Sequence, residues 1–372
     1  MIILLFPNRG FGGSGWWHDF PEQVVRAAQR LGVETRALFR GGSGRCPAWV
    51  DAEPVTVEKL YDPRWCYRTI RRLVGDAERF VVHQHTVPIH TWLWPVCKRW
   101  GKRCQTVFTD HNPPTPLAGQ LAPLKKCLKR RLRKSIYPDW IVPVSEFNAS
   151  VWRTHFGDQR IQAIPNGIEL PLVNPPAPLN RPPSRLLFVG RLMEYKGVRP
   201  LLDAVLEARQ QRVDCSLEIV GDGPERNYIQ AFIQHHKLQD RIHFTGYMAD
   251  PSAAYERSDI VVIPSTWQEP FGLVSVEAQA RYLPCIYSGR GGLTETQVAG
   301  ETGLMIESVT AESILAAVIG LQADGEVFQQ MRIRARSNAE QFSMAEMVDQ
   351  YIRLYQELLS LALPASGKDL GH

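Results

Sequence analysis

Three features of this sequence predict an α/β fold built of two doubly wound, parallel-sheet domains. Short apolar runs of strand length alternate with helix-like stretches from end to end, the pattern of repeated βαβ units. A proline-rich stretch divides those units into two sets. The length, 372 residues, suits two domains of ordinary size better than one.

In chain order, Ile2–Phe6, Val33–Phe39, Phe80–His83, Gln105–Thr109 and Trp140–Val144 read as strands of a first sheet, in a domain spanning residues 1–170. The stretch 171–183 (PLVNPPAPLNRPP) holds six prolines in thirteen residues. It can neither join a ladder nor continue a helix, so it reads as a stiff linker. A second domain, 184–343, follows with strands at Leu186–Val189, Ser216–Val220, Ile242–Thr245, Ile260–Ile263 and Cys285–Tyr287. Residues 344–361 carry apolar side chains at 344, 347, 348, 351, 352, 354, 355, 358 and 359, a helical period. Doubly wound domains bind ligands at the carboxyl ends of their strands, which are expected here to face a shared central cleft.

Hydrophobic residues make up 44% and charged residues 22%, which provides for a real core and excludes a disordered chain. The net charge of +5 is unevenly spread: residues 1–170 carry 25 Lys/Arg against 14 Asp/Glu, the remainder 18 against 24. A basic half joined to an acidic half points to an anionic partner on the basic side, although uneven solvated surface gives the same count. The seven cysteines are scattered, odd in number and never in a CxxC pair. That argues for reduced thiols in a cytoplasmic protein, without a structural zinc or disulfide framework. The opening apolar run is too short for a membrane span or a signal peptide, so a soluble or at most peripheral protein is expected.

The first loop, Pro7-Asn8-Arg9-Gly10-Phe11-Gly12-Gly13-Ser14-Gly15, follows a strand and precedes a helix expected to begin near Pro21. Its glycines permit close backbone approach to an anion or acceptor, and a plain tight turn reads the same way. Trp16 and Trp17 offer faces for a sugar or for packing. His83, His85 and His111 gather at strand ends, where functional groups collect, yet taken singly each fits a structural role better than a catalytic one. No HExxH or acidic ligand cluster accompanies them to make a metal site.

The second domain is more informative. Arg191 and Lys196 stand five apart after a strand, where two cations suit a diphosphate or serve as solvated surface charges. Glu269 and Glu277 form a Glu-x7-Glu spacing around Phe271-Gly272-Leu273, which opens a helix whose free amides favour phosphate. A dipole-matched Glu277 and a solvated Glu269 are the bland alternatives.

In this order and spacing the motifs are recognisable. They are the Gly12-Gly13 loop, His111 in VFTDHN, Pro165-Asn166-Gly167-Ile168, Gly190-Arg191 with Lys196-Gly197, and Val220-Gly221-Asp222-Gly223-Pro224. Glu269-Pro270-Phe271-Gly272 with Glu277-Ala278, and Gly291-Gly292-Leu293-Thr294-Glu295, complete the set. Together they resemble the retaining family 4 glycosyltransferases of GT-B fold, two Rossmann-like domains facing a cleft. The resemblance covers nearly the whole chain, strongest over 186–305 and weakest over 40–75.

The resemblance implies a nucleotide diphosphate sugar (UDP-, GDP- or ADP-linked) as donor, a hydroxyl acceptor such as a membrane-linked glycolipid or growing polysaccharide, and no metal or other cofactor. Arg191 and Lys196 would stabilise the departing diphosphate, Glu277 would hold the ribose, and Glu269 with the Phe271–Leu273 backbone would hold the sugar. His111 would approach the donor sugar and order the acceptor. Gly12, Gly13, Gly190 and Gly221 join the donor-binding set, and the final helix would cross back to the first domain. Arg281-Tyr282 replace the usual small pair, Glu169 replaces Asp, and Gln268 stands where an acid is frequent, departures that bear on sugar selectivity.

Leu117, Leu121, Leu124, Leu128, Leu132 and Ile136 recur at helical spacing among Lys125, Lys126, Lys129, Arg130, Arg131, Arg133 and Lys134. Such a helix over 117–136 suits an anionic membrane surface, or a core-packed helix with a solvated basic face, and periodicity does not separate the two. Nucleic acid is not expected, because no helix-turn-helix, zinc finger or RNP-like motif accompanies it. Two other functions fit the same elements. A sugar-nucleotide epimerase or hydrolase would convert donor without acceptor, and a non-catalytic binding module would tolerate loss of Glu269 and Arg191.

Overall fold

The computed structural model describes residues 1–11, 16–42, 47–86, 89–111, 137–156 and 160–359. Gly12 and Gly13, and the whole basic stretch 117–136 with Lys125, Lys126, Lys129, Arg130 and Arg133, lie outside the described residues. The chain forms two compact units, Met1–Gly167 joined by the segment from Met344, and Ile168–Ser343. The division thus falls at Gly167/Ile168, ahead of the proline-rich stretch. That stretch carries no helix or strand and belongs to the second unit.

In the first unit, β1 (Ile2–Phe11), β2 (Thr35–Gly42), β3 (Phe80–His85), β4 (Cys104–Asp110) and β5 (Trp140–Pro143) form one sheet in the order β2-β1-β3-β4-β5. All its pairings are parallel. A parallel strand is buried on both faces, which is why these segments read as unbroken apolar runs. On β1, Ile3 and Leu5 join a core with Val82, Phe108, Trp94 and Trp152, while Ile2, Leu4 and Phe6 join another with Phe20, Val24 and Val107. Helix α1 (Trp16–Arg30) begins five residues before Pro21 rather than at it. A proline this early displaces only a hydrogen bond of the opening turns, so the helix passes through it. Among the described residues this part also has helices α2 (Val57–Leu60), α3 (Pro63–Val74), α4 (Leu93–Cys97) and α5 (Glu146–Phe156).

The second unit has a parallel sheet of β6 (Arg185–Val189), β7 (Ser216–Val220), β8 (Ile242–Gly246), β9 (Ile260–Ile263), β10 (Cys285–Ser288) and β11 (Gly303–Ile306). Its order is β11-β10-β9-β6-β7-β8. Strand β11 was not among the expected strands: it is a four-residue edge strand that opens on glycine, with a short apolar run Leu304–Ile306 whose Met305 is 45% exposed. The helices are α6 (Val198–Gln210), α7 (Arg226–His235), α8 (Ser252–Arg257), α9 (Leu273–Gln279), α10 (Ala311–Gln322) and α11 (Gly325–Glu340). Side chains of α11 hold the proline-rich stretch by its carbonyls: Gln329 donates to Pro176 at 3.0 Å, Arg332 to Ala177 at 3.1 Å and Arg336 to Pro171 at 3.3 Å. A segment without ladder partners is thereby tied to its own unit.

Helix α12 (Met344–Leu359) returns to the first unit and covers one face of its sheet, burying Met347, Tyr351 and Tyr355 against β1, β3 and α1. No helix among the described residues is long and apolar enough to cross a membrane.

Candidate functional site

The second sheet winds outward from β6 through β7 to β8, then crosses back to β9 and continues through β10 to β11. The two loops leaving β6 and β9 therefore diverge at neighbouring strands, the crevice where open α/β sheets bind ligands. Lys196 follows β6 and Glu269 follows β9, and their side chains meet there, Nζ to Oε1 at 2.6 Å. The pair is 73 residues apart in sequence. Ser265, also after β9, donates to the same Glu269 oxygen, and Lys196 Nζ lies 5.4 Å from the Trp267 ring centre. Glu269 is 6% exposed, so its charge is desolvated and needs both donors. Arg191, by contrast, is exposed; its guanidinium meets the Tyr195 hydroxyl at 3.4 Å and has no carboxylate partner among the described residues. One cation is committed to a carboxylate while the other is open to an anion.

Backbone packing fixes these loops. Gly190 donates to the Val220 carbonyl and Leu192 to the Asp222 carbonyl, zipping the β6 and β7 loops together. At Gly221 (φ +149°) a Cβ would fall 1.8 Å from the Gly190 carbonyl oxygen. Gly221, expected in the donor-binding set, therefore has a packing role in this structure. Gly197 (φ +74°) ends the 3-10 turn carrying Lys196 and opens α6; a Cβ there would fall 1.8 Å from the Pro264 carbonyl oxygen. This close approach draws the β6 and β9 loops together.

Gly272, in the left-handed region at φ +113°, opens α9 ahead of Leu273. The Phe271 ring is 3% exposed and packs edge-on against Phe342, so only its backbone remains for a ligand. Glu277, half-buried on α9, accepts a hydrogen bond from the Tyr255 hydroxyl at 2.8 Å. Burial pushes its carboxyl above the usual carboxylate range, opposed by that hydroxyl and by nearby Arg281. Arg281, which replaces a small residue of the family pattern, stacks on the Tyr255 ring and donates to Ser252. Neither Ser265 nor Tyr255 carried a sequence signal: Ser265 belongs to no motif, though it lies four residues from Glu269, and Tyr255 acts through Glu277, 22 residues on.

In the first unit β3 places His83 and His85 side by side, ring centres 4.0 Å apart. His83 uses both ring nitrogens, on the Tyr355 hydroxyl at 2.5 Å and the Thr109 hydroxyl at 2.7 Å. Thr109 also meets the Tyr351 hydroxyl at 2.9 Å, so the imidazole is a bracket between the sheet and α12. Burial, with His111 adding to it, drops His83 to about 3, and burial likewise lowers His85. Both are neutral structural groups. His111, half-buried just after β4, lies with Nε2 3.5 Å from His85 Nδ1 and is the partly open member of the three. Among the described residues no three His, Cys, Asp or Glu converge as a metal site would require.

Residues 22–171 match the family model described as Glycosyltransferase Family 4, and residues 175–341 the model described as Glycosyl transferases group 1. The chain is 31% identical over 175 residues to N-acetyl-alpha-D-glucosaminyl L-malate synthase of Bacillus anthracis, covering 47% of this chain and 45% of that protein. It is also 31% identical over 185 residues to D-inositol 3-phosphate glycosyltransferase of Corynebacterium aurimucosum, covering 48% and 44%. The chain thus spans about half the length of the curated relatives it matches. A solved glycosyltransferase from Rickettsia africae superposes with a TM-score of 0.76 at 18% identity, covering 97% of this chain and 99% of that one. Anabaena HepE, solved with UDP, gives 0.70 at 18% identity, covering 96% and 99%. At such identities these two likenesses bear on fold alone.

Proposed function

This chain belongs to the family 4 glycosyltransferases of GT-B fold, and from that premise we propose that it transfers a sugar from a nucleotide diphosphate donor to an acceptor hydroxyl, with the anomeric configuration retained. The observation that carries the reading is the Lys196–Glu269 pair at the crevice between β6 and β9, with the exposed Arg191 beside it. Arg191 and Lys196 bind the diphosphate and stabilise the charge that grows on it as the anomeric carbon–oxygen bond breaks. Two cations in this position perform the task a divalent ion performs elsewhere, so the reaction runs without metal. The acceptor oxygen attacks from the side the phosphate leaves, and its proton passes to the departing phosphate oxygen. Glu269 orients the sugar, the amides from Phe271 to Leu273 support it, and Glu277 grips the ribose hydroxyls. His111 serves the donor sugar and the acceptor.

The acceptor side rests on charge. The basic stretch 117–136 suits an acceptor linked to lipid at an anionic membrane surface, with the enzyme cytoplasmic and peripheral. A panel of UDP-, GDP- and ADP-sugars tests the reading. A true donor raises the melting temperature and is slowly hydrolysed in the absence of acceptor, both unaffected by chelator. A panel in which no member does both overturns the assignment, and activity lost to chelator and restored by a divalent ion overturns the metal-free mechanism.

A further inference from the structure

Glu277 reaches its place on α9 with one carboxylate oxygen already engaged. Tyr255, on α8 and only 1% exposed, donates its hydroxyl to Oε2 at 2.8 Å. The other oxygen takes no donor among the described residues. Tyr255 is itself held from behind: the Arg281 guanidinium lies 4.9 Å from its ring centre. Arg281 donates in turn to the Ser252 hydroxyl at 3.0 Å and to the Glu277 carbonyl at 3.1 Å. Helices α8 and α9 are thus joined by three side chains in series, and the last of them is the carboxylate that meets solvent.

We infer that Tyr255 is a positioning residue for the donor's ribose: its hydroxyl fixes one oxygen of Glu277, Arg281 fixes Tyr255, and the remaining oxygen is presented to the ribose hydroxyls in a single orientation. This rests on the assignment of Glu277 to the ribose. A half-buried carboxylate gripping a diol must choose between several rotamers, and a rigid buried donor removes that freedom before the ligand arrives. The same hydrogen bond favours the charged carboxylate. The titratable and charged groups facing the assembly are Tyr255 from α8, Arg281 just past α9, Cys285 from β10 against Tyr255, and Asp250, ahead of α8, against Arg281. Burial raises the Glu277 carboxyl, while the Tyr255 hydroxyl and Arg281 oppose that rise. Removing the hydroxyl therefore raises the carboxyl further, and the ribose grip weakens at a higher pH than in the wild type.

Calorimetric titration of UDP, GDP and ADP, and of the 2′,3′-dideoxy form of the tightest, tests this across pH in wild type, Tyr255→Phe, Arg281→Met and Glu277→Gln. Tyr255→Phe keeps the ring and should weaken the ribonucleotide roughly five- to tenfold at neutral pH, less than the worth of one hydrogen bond to a charged group because it acts through Glu277. Its loss of affinity on acidification should begin at a higher pH. Arg281→Met should act in the same direction and less. The dideoxy nucleotide should bind wild type and Tyr255→Phe alike. Protonation of the diphosphate affects every variant equally, so the differences between variants are what is read. If Tyr255→Phe matches the wild type at every pH while Glu277→Gln is weakened, the positioning role is overturned and the ribose assignment stands. Equal weakening of ribose and dideoxy forms by Tyr255→Phe also overturns it, as a general packing defect. If Glu277→Gln binds as tightly as the wild type, the ribose assignment falls and the inference with it.

Discussion

On the proposed reading Lys196 has two partners to satisfy, the Glu269 carboxylate it already meets and a donor diphosphate, whereas Arg191 has only the second. Arg191→Ala should therefore lower turnover by roughly a hundred- to a thousandfold, the cost of one charge-stabilising donor of about 3–4 kcal/mol, without disturbing the fold. Lys196→Ala should lower turnover at least as much and also destabilise, because among the described residues the Glu269 side chain then keeps only the Ser265 hydroxyl as a donor. The double variant Lys196→Ala/Glu269→Ala should be less impaired than the two single losses added, since the two groups act as a unit. Steady-state kinetics of the four proteins check this, and strict additivity would sink it. The two glutamates should separate as well. Glu277→Ala should chiefly weaken binding of free nucleoside diphosphate, and Glu269→Ala should chiefly lower turnover; equal losses of nucleotide affinity would contradict their assignments. His83 gives a pH signature of its own. It titrates near pH 3 folded, against about 6.5 in an unfolded chain. Between those values the unfolded state binds the proton and the folded state does not, so the stability is fully present above about pH 6.5 and is lost as the pH falls toward 3. Urea unfolding at several pH values should show this slope reduced in His83→Gln, by at most about 1.4 kcal/mol per pH unit. An unchanged slope would mean that the imidazole is already charged in the fold.

At the scale of elements, the loops after β6, β7 and β9 are held by backbone lying against backbone, and side chains are excluded from the joints. Gly221→Ala puts a methyl group where the Gly190 carbonyl already lies, in a conformation unfavourable to any L side chain. It should cost about 2–4 kcal/mol in chemical unfolding and lower nucleotide affinity through displacement of Arg191. A variant as stable as the wild type would show that the two loops are not in fact zipped. On the other unit, α12 is anchored by the hydroxyls of Tyr351 and Tyr355 as much as by their rings. Tyr355→Phe leaves His83 Nδ1 buried without its partner and should cost about 1–3 kcal/mol. Thermal unfolding decides it, with a shift below half a kcal/mol telling against the bracket.

At the scale of the whole molecule, the second unit is one continuous stretch, while the first is closed by a helix from the far end of the chain. The charged groups proposed to bind the nucleotide, Arg191, Lys196, Glu269 and Glu277, lie in the continuous stretch. A fragment of residues 168–343 keeps both cores of its unit intact and should fold and bind nucleoside diphosphate with near wild-type affinity. Deleting residues 344–372 should instead damage the first unit, since it uncovers Phe6, Phe20, Val24 and the two histidines of β3. Hydrogen exchange on the truncated chain should show β1 and β3 losing protection while β6, β7 and β9 keep theirs. Uniform loss of protection would show that the units do not fold separately.

Strand positions, the two-sheet organisation, the glycine-rich turns and the separated charges Arg191, Lys196, Glu269 and Glu277 were legible in the sequence. They depend on local chemistry: unbroken apolar runs for doubly covered strands, and glycines or charges at strand ends. Strand β11 was missed although Leu304, Met305 and Ile306 are apolar, because three such residues after a glycine do not by themselves separate an edge strand from a loop. Only the tertiary structure decided which charges meet. Lys196 and Glu269 touch because β6 and β9 are neighbours, and that adjacency is a property of strand order that no local period encodes. The same holds for Tyr255 and Glu277, joined across two helices, and for His83 and Tyr355, 272 residues apart. Gly221 was read as a ligand-binding glycine, and the structure adds a packing reason for it, since a missing side chain looks the same in sequence whichever backbone fills its place. The residue types set what chemistry was available, and the order in which the strands lie side by side set which groups could perform it together.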